Sequence, residues 1–109
     1  MQSIRVDELV DFVKTELRTL LLDVREPWEV QFARIQLPGA AELQIPMNEL
    51  AQHLGTLERS QPIVCICHHG VRSAQVVAFL QRQGYPQVYN LAGGVDAWST
   101  QVDPAVPRY

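Results

Sequence analysis

Short apolar runs alternate with amphipathic stretches along this chain. Leu20–Val24, Pro62–Cys67 and Val88–Leu91 are mainly apolar, which is typical of strands buried on both faces of a parallel sheet. Ala41–Ile45 is a weaker run of the same kind, and Ile4–Val6 has the length of a short edge strand. The pattern therefore predicts five strands.

Helical spacing of apolar residues fills the intervals between these runs. It is found at 9–13 after a capping Asp7, at 27–32 from Pro27 onward, at 50–57, and at 74–80 ahead of Gly84 and Pro86. Aspartate is favoured at helix N-caps, proline in the first turn, and glycine just beyond the last turn. Strands and helices in this alternation predict an α/β fold with a mostly parallel sheet.

Three polar or glycine-rich segments follow predicted strands. They are 23–26, 67–73 and 92–94. In open α/β sheets, ligands bind in the crevice beyond the carboxyl ends of the strands. We therefore expect these three segments to meet at one edge of the sheet.

Length and composition restrict the possible classes of protein. The 109 residues are enough for a single domain, 1–109, which we expect to consist of a core over 4–98 and a tail over 99–109. The net charge is -3 and the nine basic residues are scattered, which argues against a nucleic-acid partner. The sequence also has neither a signal-peptide pattern nor an apolar run near the roughly 20 residues of a membrane span. We expect a cytoplasmic protein without a membrane partner.

The two cysteines occupy different positions relative to the predicted strand. Cys65 lies inside it and is expected to be a core residue, whereas Cys67 ends it, just before a helix that begins near Arg72. The backbone N–H groups of such a loop, the helix start and the Arg72 charge all favour an anion at Cys67. Gly70 suits a loop with unusual dihedral angles. We expect two free thiols, with Cys67 as a reactive thiolate.

His68 and His69 allow two interpretations. Either ring donates a hydrogen bond to substrate, or either is an exposed residue without a role in the chemistry. A zinc site with Cys65 and Cys67 is disfavoured, because strand alternation turns His68 away from both thiols and no second ligand pair follows. We expect no metal ion.

Asp23, Arg25 and Glu26 follow the first buried strand toward the same edge. We interpret them as an ion-pair frame that supports the Cys67 loop, with Arg72 paired to an acidic residue. The acids also suit the start of the next helix. Trp98 is expected to be a core aromatic residue.

Four ordered segments resemble the signature of the single-domain rhodanese family. They are 22–26, 37–40, 67–73 and 91–98, and the resemblance extends from about Ile4 to Trp98, with 102–109 also similar to the end of small bacterial members. The resemblance implies a three-layer α/β/α rhodanese-like fold with a central, mostly parallel five-stranded sheet. It also implies an active-site loop whose backbone amides surround the Cys67 sulfur.

The same resemblance implies a sulfurtransferase that works through a Cys67 persulfide. The donor would be thiosulfate or a protein persulfide, the acceptor cyanide or a thiol, and no cofactor is required. The substrate-binding residues would be His68, His69, Gly70, Val71, Arg72 and Ser73. Ile35-Gln36-Leu37 replaces the family's usual Gly-His-Ile. We expect this change to alter the packing of 34–38 and the mouth of the site without abolishing activity.

Two other functions remain open at this point. The first is a Cys-based phosphatase or arsenate reductase, whose loop has five residues between Cys and Arg, whereas only four separate Cys67 from Arg72 here. A shorter ring of amides suits one sulfur atom better than a tetrahedral phosphate. The second is a non-catalytic or sulfur-relay interaction module, although Cys67, Gly70 and Arg72 are all present.

Overall fold

A five-stranded parallel sheet forms the centre of the computed structural model, which describes residues 2–109. Its strands are β1 (Ser3–Arg5), β2 (Leu20–Asp23), β3 (Ala41–Gln44), β4 (Ile63–Ile66) and β5 (Val88–Ala92). The spatial order is β1-β5-β4-β2-β3, and every pairing is parallel. The predicted strands are confirmed, each to within one residue at either end.

Helices cover both faces of this sheet. They are α1 (Leu9–Thr15), α2 (Pro27–Phe32), α3 (Val71–Arg82) and α4 (Gly94–Gln101), together with 3₁₀-helices at Val6–Glu8 and Met47–Thr56. One core packs α3 and the longer 3₁₀-helix against one face of the sheet, and a second core packs α1 and α4 against the other. The predicted α/β/α layering is confirmed.

Strand alternation divides β2 and β4 between the two cores. Leu20 and Leu22 face α3, whereas Leu21 lies on the side of α1 and α4. Cys65 and Cys67 likewise face α3, and both thiols are free. A strand that buries both faces needs apolar residues at successive positions, which explains the nearly continuous apolar runs in the sequence.

The expected cap at Asp7 is wrong. The N-cap of the 3₁₀-helix Val6–Glu8 is Arg5, two residues before Asp7. Asp7 therefore lies inside the first turn, and its carboxylate accepts a hydrogen bond from Nε of Arg5 at 3.0 Å. The side chain of Glu8 takes the capping role, because it accepts the backbone N–H of Arg5 at 2.9 Å. The helix predicted over 50–57 is present as the 3₁₀-helix Met47–Thr56.

Residues 99–109, predicted to be a C-terminal tail, comprise the end of α4 and a segment that packs against it. Helix α4 continues to Gln101, beyond the Trp98 at which the core was expected to end. Val106 is buried in the same core as Trp98, and the Ser99 hydroxyl donates to the Val106 carbonyl. The segment after α4 therefore packs as part of the domain. No helix within residues 2–109 has the length and apolar character needed to cross a bilayer.

The turn from β5 into α4 lies directly against the loop that follows β4. The first N–H groups of α4 donate to this loop, from Val95 to the Cys67 carbonyl at 2.9 Å and from Asp96 to the His68 carbonyl at 3.1 Å. Gly94 makes this approach possible, because it has a φ of +60° and a Cβ there would overlap both carbonyl groups. The Gly93-Gly94 pair thus fixes the outer side of the Cys67 loop.

Gly94→Ala is expected to destabilise the protein by roughly 3 kcal/mol, since it combines a strained φ with a backbone overlap. Urea unfolding measures the difference. Gly55→Ala is the matched control, because nothing lies within 4 Å of its Cβ position and no positive φ is required there. Equal stability of the two variants would contradict this account of the turn.

Candidate active site

Cys67 lies at the bottom of a short loop between β4 and α3. The cysteine is only 1% exposed, and its Sγ accepts hydrogen bonds from the backbone N–H groups of Gly70 at 3.1 Å and Ser73 at 3.3 Å. Gly70 is the N-cap of α3 and has a φ of +95°, which bends the loop around the sulfur. Backbone amides that converge in this way form a site for an anion.

Asn90 on β5 ties the start of α3 to the sheet. The Ser73 hydroxyl lies 3.2 Å from Cys67 Sγ and is also hydrogen-bonded to Oδ1 of Asn90. The Asn90 side-chain N–H in turn donates to the Gly70 carbonyl at 3.1 Å. Asn90 therefore holds both the hydroxyl beside the sulfur and the glycine that turns the loop.

Arg72 is paired with an acidic residue, as expected, but the partner is neither Asp23 nor Glu26. It is Glu29 on α2, whose two carboxylate oxygens each lie 2.8 Å from a guanidinium nitrogen of Arg72. Such two-point pairing fixes the orientation of the guanidinium as well as its distance. Arg72 and Glu29 thus clamp the start of α3 to α2.

Glu29 is buried, and its carboxylate is saturated with donors. Besides Arg72, it accepts the backbone N–H of Glu26 at 3.0 Å and the hydroxyl of Tyr109 at 2.9 Å. The Arg72 hydrogen bonds lower the pKa of Glu29 to about 2, although burial alone would raise it. Glu29 is therefore a carboxylate at neutral pH.

Arg25 is fully buried next to the Glu29–Arg72 pair. Its guanidinium binds the Asp23 carboxylate at 2.7 and 2.9 Å and the carbonyl groups of Ala33 at 2.7 Å and Glu29 at 3.3 Å. It thereby joins the end of β2 to both ends of α2. Glu26, by contrast, is exposed and contributes its backbone N–H to Glu29.

The rings of His68 and His69 lie against each other with centroids 3.9 Å apart and an interplanar angle of 32°. His68 also stacks on Tyr109, and its Nε2 is enclosed without a hydrogen-bond partner among residues 2–109. Burial lowers the pKa of His68, and the neighbouring His69 lowers it further. The His69 side chain is mostly exposed, and its Nδ1 lies 4.0 Å from Oδ2 of Asp96. Val71 also faces solvent.

The structure thus brings most of the residues singled out in the sequence to one edge of the sheet. Cys67, Gly70, Arg72 and Ser73 form the inner loop and Asp23 and Arg25 support it, while His69, Val71 and Glu26 point outward. Cys65 is a core residue, and burial raises the pKa of its thiol.

Three residues around the site were not identified from the sequence: Glu29, Asn90 and Tyr109. Asn90 did carry a signal, because it is a polar residue in the middle of an otherwise buried strand. Glu29 lies in the first turn of α2, where an acidic residue is common for reasons of helix-start charge alone. Tyr109 had no local signal, since its partner Arg25 lies 84 positions earlier in the chain.

The replacement at 35–37 fills the core rather than the site. Ile35 is buried in the core that includes α1 and α4, whereas Gln36 is exposed. The neighbouring Arg34 binds the carboxylate of Glu42 at 2.8 Å, which ties this segment to β3.

Comparisons of the sequence and of the fold identify relatives of this chain. Residues 6–101 match the family described as Rhodanese-like domain. The chain is 34% identical to Thiosulfate sulfurtransferase GlpE of Actinobacillus succinogenes over 99 residues, covering 91% of this chain and 85% of that protein. The crystal structure of a rhodanese-like domain protein from Staphylococcus aureus superimposes with a TM-score of 0.79 and 29% identity, covering 100% of this chain and 99% of that one.

A longer protein is similar to this chain over part of its own length. Rhodanese-like/PpiC domain-containing protein 12, chloroplastic, of Arabidopsis thaliana is 34% identical over 116 aligned residues that include all of this chain. The chain spans 38% of the length of that relative.

Glu29→Gln is expected to destabilise the protein by roughly 3 kcal/mol near pH 7, because it removes the charge that Arg72 binds. The pKa of Glu29 is depressed, so its ionised carboxylate stabilises the folded protein. This stabilisation is fully present above pH 4.5 and is lost as the pH falls from 4.5 to about 2. Urea unfolding at about pH 7 and about pH 3 should therefore show a smaller difference at the lower pH.

Glu42→Gln provides the control for this measurement, because Glu42 also pairs with an arginine but lies at the surface. Its free energy of unfolding should change by less than about 1 kcal/mol. A Glu29→Gln effect as small as that of the control, or one unchanged at low pH, would contradict the role of the buried pair.

Proposed function

The chain belongs to the rhodanese-like domain family, and we propose that it is a sulfurtransferase that carries sulfane sulfur as a persulfide on Cys67. The observation that carries this proposal is the convergence of the Gly70 and Ser73 amides on Cys67 Sγ, at 3.1 and 3.3 Å. Fixed donors of this kind stabilise a thiolate before the reaction and a persulfide anion after it. The relative named as a thiosulfate sulfurtransferase supports the same chemistry.

In the first half-reaction, the Cys67 thiolate attacks the outer sulfur of thiosulfate. A new S–S bond forms to Cys67, and the S–S bond of thiosulfate breaks with its electron pair on the departing sulfite. The same attack on a protein persulfide would release a protein thiolate. The residues proposed to bind the donor are His68, His69, Gly70, Val71, Arg72 and Ser73.

In the second half-reaction, an acceptor nucleophile attacks the outer sulfur of the persulfide. Cyanide leaves as thiocyanate, and a thiolate leaves as a persulfide. In both cases the electron pair of the broken S–S bond returns to Cys67 as a thiolate. The cycle is covalent catalysis in two steps, and it uses neither an external oxidant nor a cofactor.

The Ser73 hydroxyl supplies an adjustable donor in this cycle. It has one proton but two neighbours, Cys67 Sγ and Asn90 Oδ1. When Cys67 is a thiol, the hydroxyl donates to Asn90 and accepts from the thiol. When Cys67 ionises, rotation of the hydroxyl brings its proton to the sulfur. The thiolate then has three donors instead of two.

Arg72 contributes a positive charge whose position is set by Glu29. Arg25, which is bound by Asp23, donates a hydrogen bond to the backbone carbonyl of Glu29 and so supports that pair. Glu26 donates its backbone N–H to the Glu29 carboxylate. The proposed setting for these reactions is the cytoplasm, where donor and acceptor thiols remain reduced.

Reduced protein mixed with thiosulfate is expected to gain one sulfur atom, which cyanide then removes. Intact-protein mass spectrometry measures both steps. Cys67→Ser should gain none, whereas Cys65→Ser, which alters the neighbouring thiol on the same face, should still be labelled. Sulfur uptake by Cys67→Ser, or no uptake by the unmutated protein from thiosulfate or any persulfide donor, would overturn the proposal.

Ser73→Ala is expected to slow persulfide formation by roughly tenfold or more, since it removes one hydrogen bond to a charged sulfur while the two amides remain. Stopped-flow measurement of the first half-reaction tests this. Ser99→Ala is the matched control, because Ser99 is also buried and hydrogen-bonded but lies on α4 away from Cys67. Similar rates for both variants would exclude the proposed role of the Ser73 hydroxyl.

A further inference from the structure

Tyr109 links the two ion pairs beneath the Cys67 loop. Its hydroxyl oxygen accepts a hydrogen bond from Arg25 at 2.9 Å and donates one to Oε1 of Glu29 at 2.9 Å. The same Oε1 is bound by Arg72 at 2.8 Å. The phenol therefore touches the carboxylate atom that sets the position of the Arg72 guanidinium.

The ring of Tyr109 acts on the other side of the site. It stacks on His68 with centroids 3.8 Å apart and an interplanar angle of 7°. Trp28 and Phe32 meet it edge-on from α2, at 5.7 and 5.9 Å. A ring held from three directions has little freedom to move, and it restricts His68 in turn.

The segment that carries Tyr109 is anchored before it reaches the site. The N–H groups of Val102 and Asp103 both donate to the Trp98 carbonyl at 2.9 Å, and Arg108 binds the Asp96 carboxylate at 2.9 and 3.3 Å. Val106 is buried between these two points. The segment that carries Tyr109 is thus held in place by its own contacts with α4.

We propose that Tyr109 is a positioning residue of the Cys67 site, which holds the Glu29–Arg72 pair with its hydroxyl and His68 with its ring. This inference rests on the proposed sulfurtransferase function. Arg72 and His68 are the groups suited to the charged oxygens of a sulfonate-type donor, whereas the Gly70 and Ser73 amides bind the reacting sulfur. Loss of Tyr109 should therefore weaken capture of thiosulfate more than the chemistry at Cys67.

Two further observations support this division of roles. The enclosed Nε2 of His68 has no hydrogen-bond partner within residues 2–109, so stacking on Tyr109, and not a hydrogen bond at this nitrogen, holds the ring. Burial also raises the pKa of Tyr109, so the hydroxyl keeps the proton that it donates to Glu29. Arg25 then occupies a lone pair of the same oxygen.

Tyr109→Phe separates the hydroxyl from the ring, and Tyr109→Ala removes both. For Tyr109→Phe we expect the KM for thiosulfate in persulfide formation to rise about tenfold while the limiting rate changes less than threefold. Tyr85→Phe is the matched control, since the Tyr85 hydroxyl also makes two hydrogen bonds, to the carbonyls of Leu54 and Leu57. That control should leave the KM unchanged.

NMR titration of the His68 ring tests the second contact. The charged and titratable groups that face His68 are His69, Asp96, Glu29 and Arg72. Tyr109 contributes burial, so Tyr109→Ala should raise the pKa of His68 toward its ordinary value, whereas Tyr109→Phe should leave it low. This readout does not require sulfur transfer.

The outcomes distinguish the inference from the function on which it rests. An active protein in which Tyr109→Phe leaves the KM unchanged, or changes it no more than Tyr85→Phe, overturns the positioning role alone. So does a His68 titration that is the same in Tyr109→Ala as in the unmutated protein. No sulfur uptake by the unmutated protein overturns the proposed function and this inference together.

Discussion

A sulfur anion shielded from water is stable only where hydrogen-bond donors already face it. Cys67 Sγ meets this requirement through the backbone N–H groups of Gly70 and Ser73, which cannot be lost by replacing a side chain. Their direction follows from the end of β4, the left-handed turn at Gly70 and the start of α3. The sheet and its helices therefore matter to the chemistry mainly because they hold these two amides still.

A network of paired charged side chains lies next to these two amides. Asp23, Arg25, Glu29 and Arg72 alternate in sign, and Tyr109 bridges the middle of the series. Buried charges are costly unless every one is paired, so removal of one member leaves its partner without compensation. Because Glu29 binds Arg72 at two points, the network fixes the orientation of the charge that Arg72 presents. The sulfur itself is held by neutral amides.

The sequence was sufficient for the parts of the structure that rest on local patterns. Continuous apolar runs identified the strands because each is buried on both faces, and the position of Cys67 between a strand and a helix identified the loop. The capping role of Asp7 was mispredicted because the cap lies two residues earlier, at Arg5, which places the Asp7 side chain in the first turn. Glu29 and Tyr109 were missed because their roles arise from contacts 43 and 84 positions away in the chain.

The start of α4 holds the first two peptide groups of the loop that follows β4. The carbonyl groups of Cys67 and His68 point at the N–H groups of Val95 and Asp96. In a planar trans peptide the N–H group points opposite to the carbonyl, so these contacts direct the His68 and His69 N–H groups away from α4. Gly94 is what lets α4 come this close. The Gly93-Gly94 turn, which carries no chemical group of its own, thus holds the start of the Cys67 loop, whereas the left-handed turn at Gly70 brings the Gly70 and Ser73 amides to the sulfur.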